Sequence, residues 1–215
     1  MRKLLLALGL LFLATPSWAQ CISVGGVNNV PQPGVVCLSE PIEPTYGATA
    51  VGITPASTAS DIACLGGSAT AVVRVQRVIL SGTASTGVTV PVTLLRRAAA
   101  DTGGTVTTGN AILTPVALDT NNVAVTASAA AWTANPTVND TSPAFIAAGN
   151  LALPKTDGTT YTSGAPTLLF DFSNRNYSQA PIIRGKAQNF CVNLNTISVS
   201  TGLVNVTFHW TELAF

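Results

Sequence analysis

From residue 67 to the C-terminus, apolar and polar residues alternate in short runs separated by turn-forming residues. A two-residue period is the signature of a strand with one buried face. Residues 87–95 (GVTVPVTLL) put Val88, Val90, Val92 and Leu94 on one face. Pro91 falls on the opposite face and cannot donate to a ladder, which predicts an edge strand or a bulge there. Residues 203–212 alternate in the same way, with Val204, Val206, Phe208 and Trp210 on one side and Asn205, Thr207, His209 and Thr211 on the other. The run at 70–80 (TAVVRVQRVIL) is rich in Val and Ile, interrupted by Arg74 and Arg77. Further β-rich runs occupy 111–118, 123–133, 144–153, 167–172 and 181–195. Residues 101–104 (DTGG), 119–122 (DTNN), 139–140 (ND) and 157–158 (DG) supply turn chemistry between runs. The Ala-rich stretch 123–132 could form a helix, but its Val123/Val125 alternation and its threonine favour a strand. No segment carries a capped, sustained 3.6-residue pattern. About eight strands at this spacing predict an all-β, two-sheet sandwich, jelly-roll-like rather than immunoglobulin-like.

Before residue 67 the pattern differs. Residues 1–19 read as a signal peptide: basic Arg2 and Lys3, an apolar run over 4–13, then Ser17 and Ala19 spaced for cleavage before Gln20. A retained anchor and a lipoprotein at Cys21 are the alternatives. The apolar run is short for a membrane span, and Gln20 and Trp18 fit a lipidation signal poorly. Residues 20–66 hold Pro31, Pro33, Pro41, Pro44 and Pro55, which break long regular elements. They read as an extended Pro/Gly-rich N-terminal segment, either an arm toward a neighbour or a lid on the same domain. The sandwich domain is then expected over 67–215.

Composition narrows the function classes. Charged residues make up 9% of the chain, against about 25% in ordinary globular proteins, so solubility rests on hydroxyls and amides. After cleavage, eight basic residues face nine acidic ones, a net charge of −1. There is no basic field for nucleic acid and no polybasic patch for a membrane. A low-charge surface suits contact with protein neighbours or with further copies of the same chain, as a homo-oligomer.

All four cysteines, Cys21, Cys37, Cys64 and Cys191, lie in the mature chain. An even number behind an export signal reads as disulfides and a secreted or periplasmic destination. Three pairings are possible; Cys21–Cys37 with Cys64–Cys191 is favoured. The first closes a loop of about 15 residues, worth about 3 kcal/mol by chain entropy. No CxxC pair points to zinc.

The residues that could carry chemistry are sparse. His209 is the one histidine, placed on the polar face of the last strand. Residues 66–70 (GGSAT) approach a nucleophile elbow but lack its closing glycine. Asp171 is expected to face outward, or to pair with Arg175 or Arg184, and Glu212 to be similarly placed. No facing pair of carboxylates, as a glycosidase needs, is visible. The 119–122 and 139–140 segments read as Asx turns rather than calcium loops. No cofactor or metal is expected, and no catalytic residue is assigned. Tyr46, Trp132, Tyr161 and Tyr177, in or beside expected loops, are candidate contacts for a surface glycan.

Seven segments carry a resemblance: 75–84 (VQRVILSGTA), 94–98 (LLRRA), 119–124 (DTNNVA), 132–136 (WTANP), 183–185 (IRG), 192–195 (VNLN) and 208–212 (FHWTE). Over residues 73–215 the chain resembles a group of uncharacterised phage-associated virion-type proteins. The resemblance implies a β-rich, non-enzymatic particle-surface protein, a decoration or tail-associated component, and assigns no functional residues. Cytosolically assembled virion proteins rarely carry an export signal or disulfides. The options are an exported host-encoded relative, a phage product acting outside the cell, and a likeness of fold pattern only. The expectation is an exported structural or interaction protein on a virion or cell surface. A carbohydrate-binding or adhesive module comes second and a hydrolase third.

Overall fold

The computed structural model describes residues 43–215 except 57, 59, 157–166, 174–179, 196–198, 200 and 201. Cys21, Cys37, Tyr161, Tyr177, the signal segment and residues 20–42 lie outside the described residues.

Two antiparallel sheets face each other. The first contains β1 (Thr45–Ile53), β3 (Ala71–Thr83), β6 (Val116–Ala117), β9 (Leu168–Asp171), β10 (Ile182–Arg184) and β12 (Leu203–Ala214). Its order is β10-β3-β12-β1-β6, with β9 also paired to β3. The second contains β2 (Asp61–Gly66), β4 (Val88–Arg97), β5 (Thr105–Val106), β7 (Ser128–Ala134), β8 (Ala144–Leu153) and β11 (Asn189–Asn193). Its order is β5-β7-β2-β11-β4-β8. One short 3-10 turn, Gly109–Ala111, is the helical element among the described residues.

The pairing is nested. β1 pairs with β12, β2 with β11, β3 with β9 and β10, and β4 with β8. The first long strand therefore meets the last, the second meets the next to last, and so inward, while the chain passes between sheets. That is the strand order of a jelly roll, as the alternation predicts. β5, β6 and β7 extend the flank beside β1 and β2.

The core lies between the sheets. Val204, Val206, Phe208 and Trp210 are all fully buried, as are Val90, Val92 and Leu94. Tyr46 stacks on Trp210 with ring centroids 6.0 Å apart, and its hydroxyl donates to the Val123 carbonyl at 2.9 Å. At Gly82 the strands approach so closely that a Cβ would lie 2.2 Å from the Leu203 carbonyl oxygen, so no larger residue fits.

Four expectations change. The sandwich starts at Thr45 rather than 67, because β1 and β2 are interior ladder strands. Glu43–Phe215 form one compact unit. Pro55 sits between β1 and β2, where it breaks no ladder. The 111–118 run is strand only at Val116–Ala117, and 181–195 divides into β10 and β11 on different sheets. β4 is interior rather than an edge, but Pro91 lies beyond the end of β11, whose last register pair is Asn193↔Thr93. The Pro91 carbonyl there accepts from the Asn195 side chain at 3.2 Å. A local gap in the ladder tolerates the missing donor.

Candidate functional site

The densest cluster of chemically capable groups is on the outer face of the second sheet. Phe190 and Val192 of β11 and their partners Leu65 and Ala63 of β2 point to the core. The alternate residues Cys191 and Cys64 therefore point outward, directly opposite each other. They form a disulfide, with Cα atoms 4.1 Å apart. Trp132 and Ala130 of β7 pack over it.

Beside the disulfide lie Asp61, Arg97 and Asp101. Arg97 Nε donates to Asp61 Oδ2 at 2.5 Å, with side chains 4% and 0% exposed. Arg97 Nη1 donates to the Asp140 carbonyl at 2.8 Å, and Asn193 Nδ2 donates to Asp61 Oδ1 at 2.6 Å. Burial opposes the charge on Arg97. The hydrogen bond and charge of Asp61 override that and hold its pKa above the ordinary value.

Asp101 completes the group. Its side chain is fully covered, and Oδ1 lies 3.8 Å from Arg97 Nε, outside hydrogen-bond range. As a carboxylate, Oδ1 has no donor. Its Oδ2 contacts Cys64 Sγ at 3.7 Å, but a disulfide sulfur carries no proton to donate. Burial, then the hydrogen bond and charge of Asp61, push the Asp101 pKa up to about 7, against the attraction of Arg97. Protonation makes Asp101 a donor to Asp61 and satisfies the buried oxygen.

The loop that brings Asp101 here is pinned from outside. Asp140 accepts from the Ala98 N–H at 2.6 Å and the Ser142 N–H at 2.9 Å. Those two bonds hold its pKa below the usual range. Asn139 Nδ2 donates to the Ala100 carbonyl at 2.6 Å and to Thr102 Oγ1 at 3.2 Å. The 139–140 pair is thus a clasp on the cover of the cluster.

Chemically this arrangement is a closed clamp. Ligand-type atoms of Asp61, Cys64, Asp101 and Cys191 all lie within 4.8 Å of one another. Both sulfurs are spent in the disulfide, and the Arg97 guanidinium already supplies the positive charge. The donor set therefore does not fit a resident cation. Its consequence is pH-dependent stability. A folded-state pKa raised from 3.8 to about 7 means that the folded protein holds a proton the unfolded chain has lost. That stabilisation is complete below about pH 4 and disappears as pH rises to about 7. Thermal melts should show the wild type losing several degrees relative to Asp101→Asn between those limits, then running parallel to it. Parallel melts throughout would mean that Asp101 carries no shifted proton.

A second buried polar network sits at the turn between β2 and β3. Glu212, 5% exposed, accepts from Thr126 N at 2.9 Å, Ala127 N at 3.0 Å, Trp210 Nε1 at 3.0 Å and Thr126 Oγ1 at 2.5 Å. Thr126 Oγ1 has one proton, which goes to the carboxylate. The Ser68 hydroxyl, 2.6 Å away, then donates to Thr126, while Ser68 Oγ accepts from Thr70 N and Ala71 N. Ser68 is fully buried, so residues 66–70 form a hydroxyl-capped turn and not a nucleophile elbow. Glu212 faces this network rather than solvent, because four donors repay its desolvation. Glu212→Ala, which leaves them unpaired, should cost about 2–3 kcal/mol in urea denaturation. A cost near zero would show that water replaces the carboxylate.

The remaining candidates are dispersed. Asp171 faces outward as expected, but its partner is Arg77 at 3.1 Å, brought opposite by the β3–β9 register. His209 is half-buried, opposite Gly47 and Arg77 in the sheet. Burial and the Arg77 charge lower its pKa, and it is not brought together with Asp171 or Glu212 by any described hydrogen bond. Asp119 Oδ1 accepts from Asn121 N at 2.9 Å, closing an Asx turn. Two of the aromatic candidates are corrected. Tyr46 is fully buried in the core, and Trp132 is 6% exposed against the disulfide. Both lie on strands, where packing outcompetes exposure. The Asp61–Arg97–Asp101 cluster escapes sequence reading because its members come from β2, the end of β4 and a loop. The four-residue spacing of Arg97 and Asp101 is visible in sequence, but Asp61 joins them only through the pairing of β2 and β4 with β11.

Comparison with known proteins finds no matching family model, no matching curated protein and no matching solved structure.

Proposed function

We propose that this protein is an exported, non-enzymatic structural protein that assembles on a particle or cell surface through low-charge faces. The observation that carries this reading is the segment 105–123, on the flank beside β1. Among the described residues it holds five of the ten exposed large apolar side chains: Val106, Ile112, Val116, Leu118 and Val123. Asp119 is its one charged residue. A solvent-facing stretch of this kind is characteristic of a surface that meets another protein.

Export is supported by the Cys64–Cys191 bond, since such bonds persist in oxidising compartments. The absence of catalysis is supported by the fate of the ionisable groups. Asp61, Arg97 and Asp101 are closed against one another, and Glu212 is saturated with donors, so neither set offers a substrate a free reactive group. Jelly rolls occur in capsid and lectin domains, so the fold suits the virion-associated reading. The glycan-binding reading loses support with Tyr46 and Trp132 in the interior.

Light scattering on the size-fractionated mature protein tests the proposal. A defined dimer or larger assembly is the expected result. A monomer across the micromolar range would overturn it.

A further inference from the structure

We propose that the thiol form of this protein binds a thiophilic divalent cation of the zinc class between Cys64 Sγ, Cys191 Sγ and the Asp101 carboxylate. Oxidation gates the site, because the disulfide withdraws both sulfurs. The donor set that fits no cation while its sulfurs are joined fits one once they are free. This inference is independent of the assembly reading above.

The first observation is convergence. Cys64 and Cys191 face each other across the β2–β11 ladder. Each of those strands pairs on its other side as well, β2 with β7 and β11 with β4, so two ladders place each cysteine backbone apart from the bond itself. Cys64 Sγ lies 3.7 Å from Asp101 Oδ2. Ligand-type atoms of Asp61, Cys64, Asp101 and Cys191 all lie within 4.8 Å of one another. Zinc bonds of about 2.3 Å to sulfur and about 2.0–2.2 Å to oxygen set tetrahedral ligands about 3.3–3.8 Å apart. Two thiolates adjust to that spacing by rotation about their Cα–Cβ bonds.

The second observation is a buried acceptor without a donor. The Asp101 side chain is 0% exposed, and among the described residues no donor reaches its Oδ1. Asp61 differs. Its two oxygens are taken by Arg97 Nε and Asn193 Nδ2, so it stands beside the site as a fixed charge. Asp101 is therefore the carboxylate that ligates, and three protein ligands leave the fourth position to water. Trp132 and Ala130 pack over the sulfurs. The entry path is the Asp101 loop, held by hydrogen bonds of Asp140 and Asn139 on the exposed side.

Charge selects the occupant. With the bond formed, two carboxylates share one guanidinium. Opening it adds two thiolates to a buried site, an excess of negative charge that a divalent cation offsets. Sulfur ligands favour zinc or cadmium over magnesium or calcium. Leaving the loaded state is an oxidation. The two thiolates give two electrons to a disulfide oxidant, which ends as two thiolates, the Cys64–Cys191 bond forms and the cation departs.

The test uses the full mature chain with Cys21→Ser and Cys37→Ser, so that Cys64 and Cys191 supply the sulfur. A phosphine reduces the bond, taking oxygen from water to become its oxide and leaving two thiols. The desalted protein is then titrated anaerobically with cobalt(II). A sulfur-to-cobalt charge-transfer band with tetrahedral ligand-field bands is expected, and zinc(II) should bleach both. Zinc should also raise the melting temperature of the reduced chain, and of the oxidised chain not at all. Asp101→Asn, whose folding is checked in its oxidised form, should weaken zinc binding at least ~10-fold. Reduced protein without a sulfur-to-cobalt band, folded or not, would overturn the site. So would equal bands in the oxidised protein, or an Asp101→Asn variant that binds zinc as tightly as its parent.

Discussion

Replacing Cys64 and Cys191 together with alanine should lower the melting temperature by about 10–20 °C. The bond joins residues 127 apart in sequence. Chain entropy alone assigns a loop of that length about 5 kcal/mol. Both ends sit in interior strands of one sheet, β2 and β11, so the bond holds the N-terminal part of the sandwich against a strand that arrives late in the chain. Differential scanning calorimetry of the double variant reads the effect directly. A loss below ~3 °C would show that the β2–β11 ladder and its core face hold this junction without the bond.

Arg97→Met should destabilise the fold by about 3–5 kcal/mol, because it leaves a buried carboxylate without its counter-charge. Asp61 has 0% side-chain exposure, and its other partners, Asn193 and the protonated Asp101, are neutral. The variant also removes the donor to the Asp140 carbonyl, which loosens the clasp over the disulfide. Adding Asp61→Asn should recover much of the loss, since replacing both members of a buried pair by neutral groups often comes close to neutral. Urea midpoints of wild type, single and double variants measure the cycle. A single variant as stable as wild type would show that Asp61 reaches solvent or a proton once Arg97 is gone.

These two effects concern the same square of surface. The disulfide, the ion pair and the shared proton of Asp101 all lie where β2, β11 and the end of β4 meet. They hold together an outer sheet face that hydrophobic burial between the sheets does not reach. The chain carries 9% charged residues and commits three of them here. That commitment is consistent with a protein whose working surfaces are low in charge and whose ionic groups serve architecture.

The strands with a clean two-residue period were legible from sequence. Val88 to Leu94 and Val204 to Trp210 could be assigned to a buried face because each has one apolar and one polar side. β1 was missed because Pro44 and Pro55 flank it and its inward residues, Tyr46, Ala48 and Ala50, are mostly small. The 111–118 run was overread because its apolar residues lie on the surface: Ile112, Val116 and Leu118 are exposed. The Cys64–Cys191 pairing was favoured from chain order and is present. Tyr46 and Trp132 were misplaced because the propensity of an aromatic ring does not distinguish a loop from a sheet interior.

Period and turns determined the β class and the two-layer arrangement, because those depend on neighbours within a few residues or on which face a residue occupies; cysteine number left three pairings open, and the fold set Cys64 opposite Cys191. The tertiary structure alone decided that Asp61, Arg97 and Asp101 share one buried site, that Glu212 turns inward, and that β8 is left at an edge. Each of these depends on which strands lie side by side across more than thirty residues of chain, and local alternation carries no record of that.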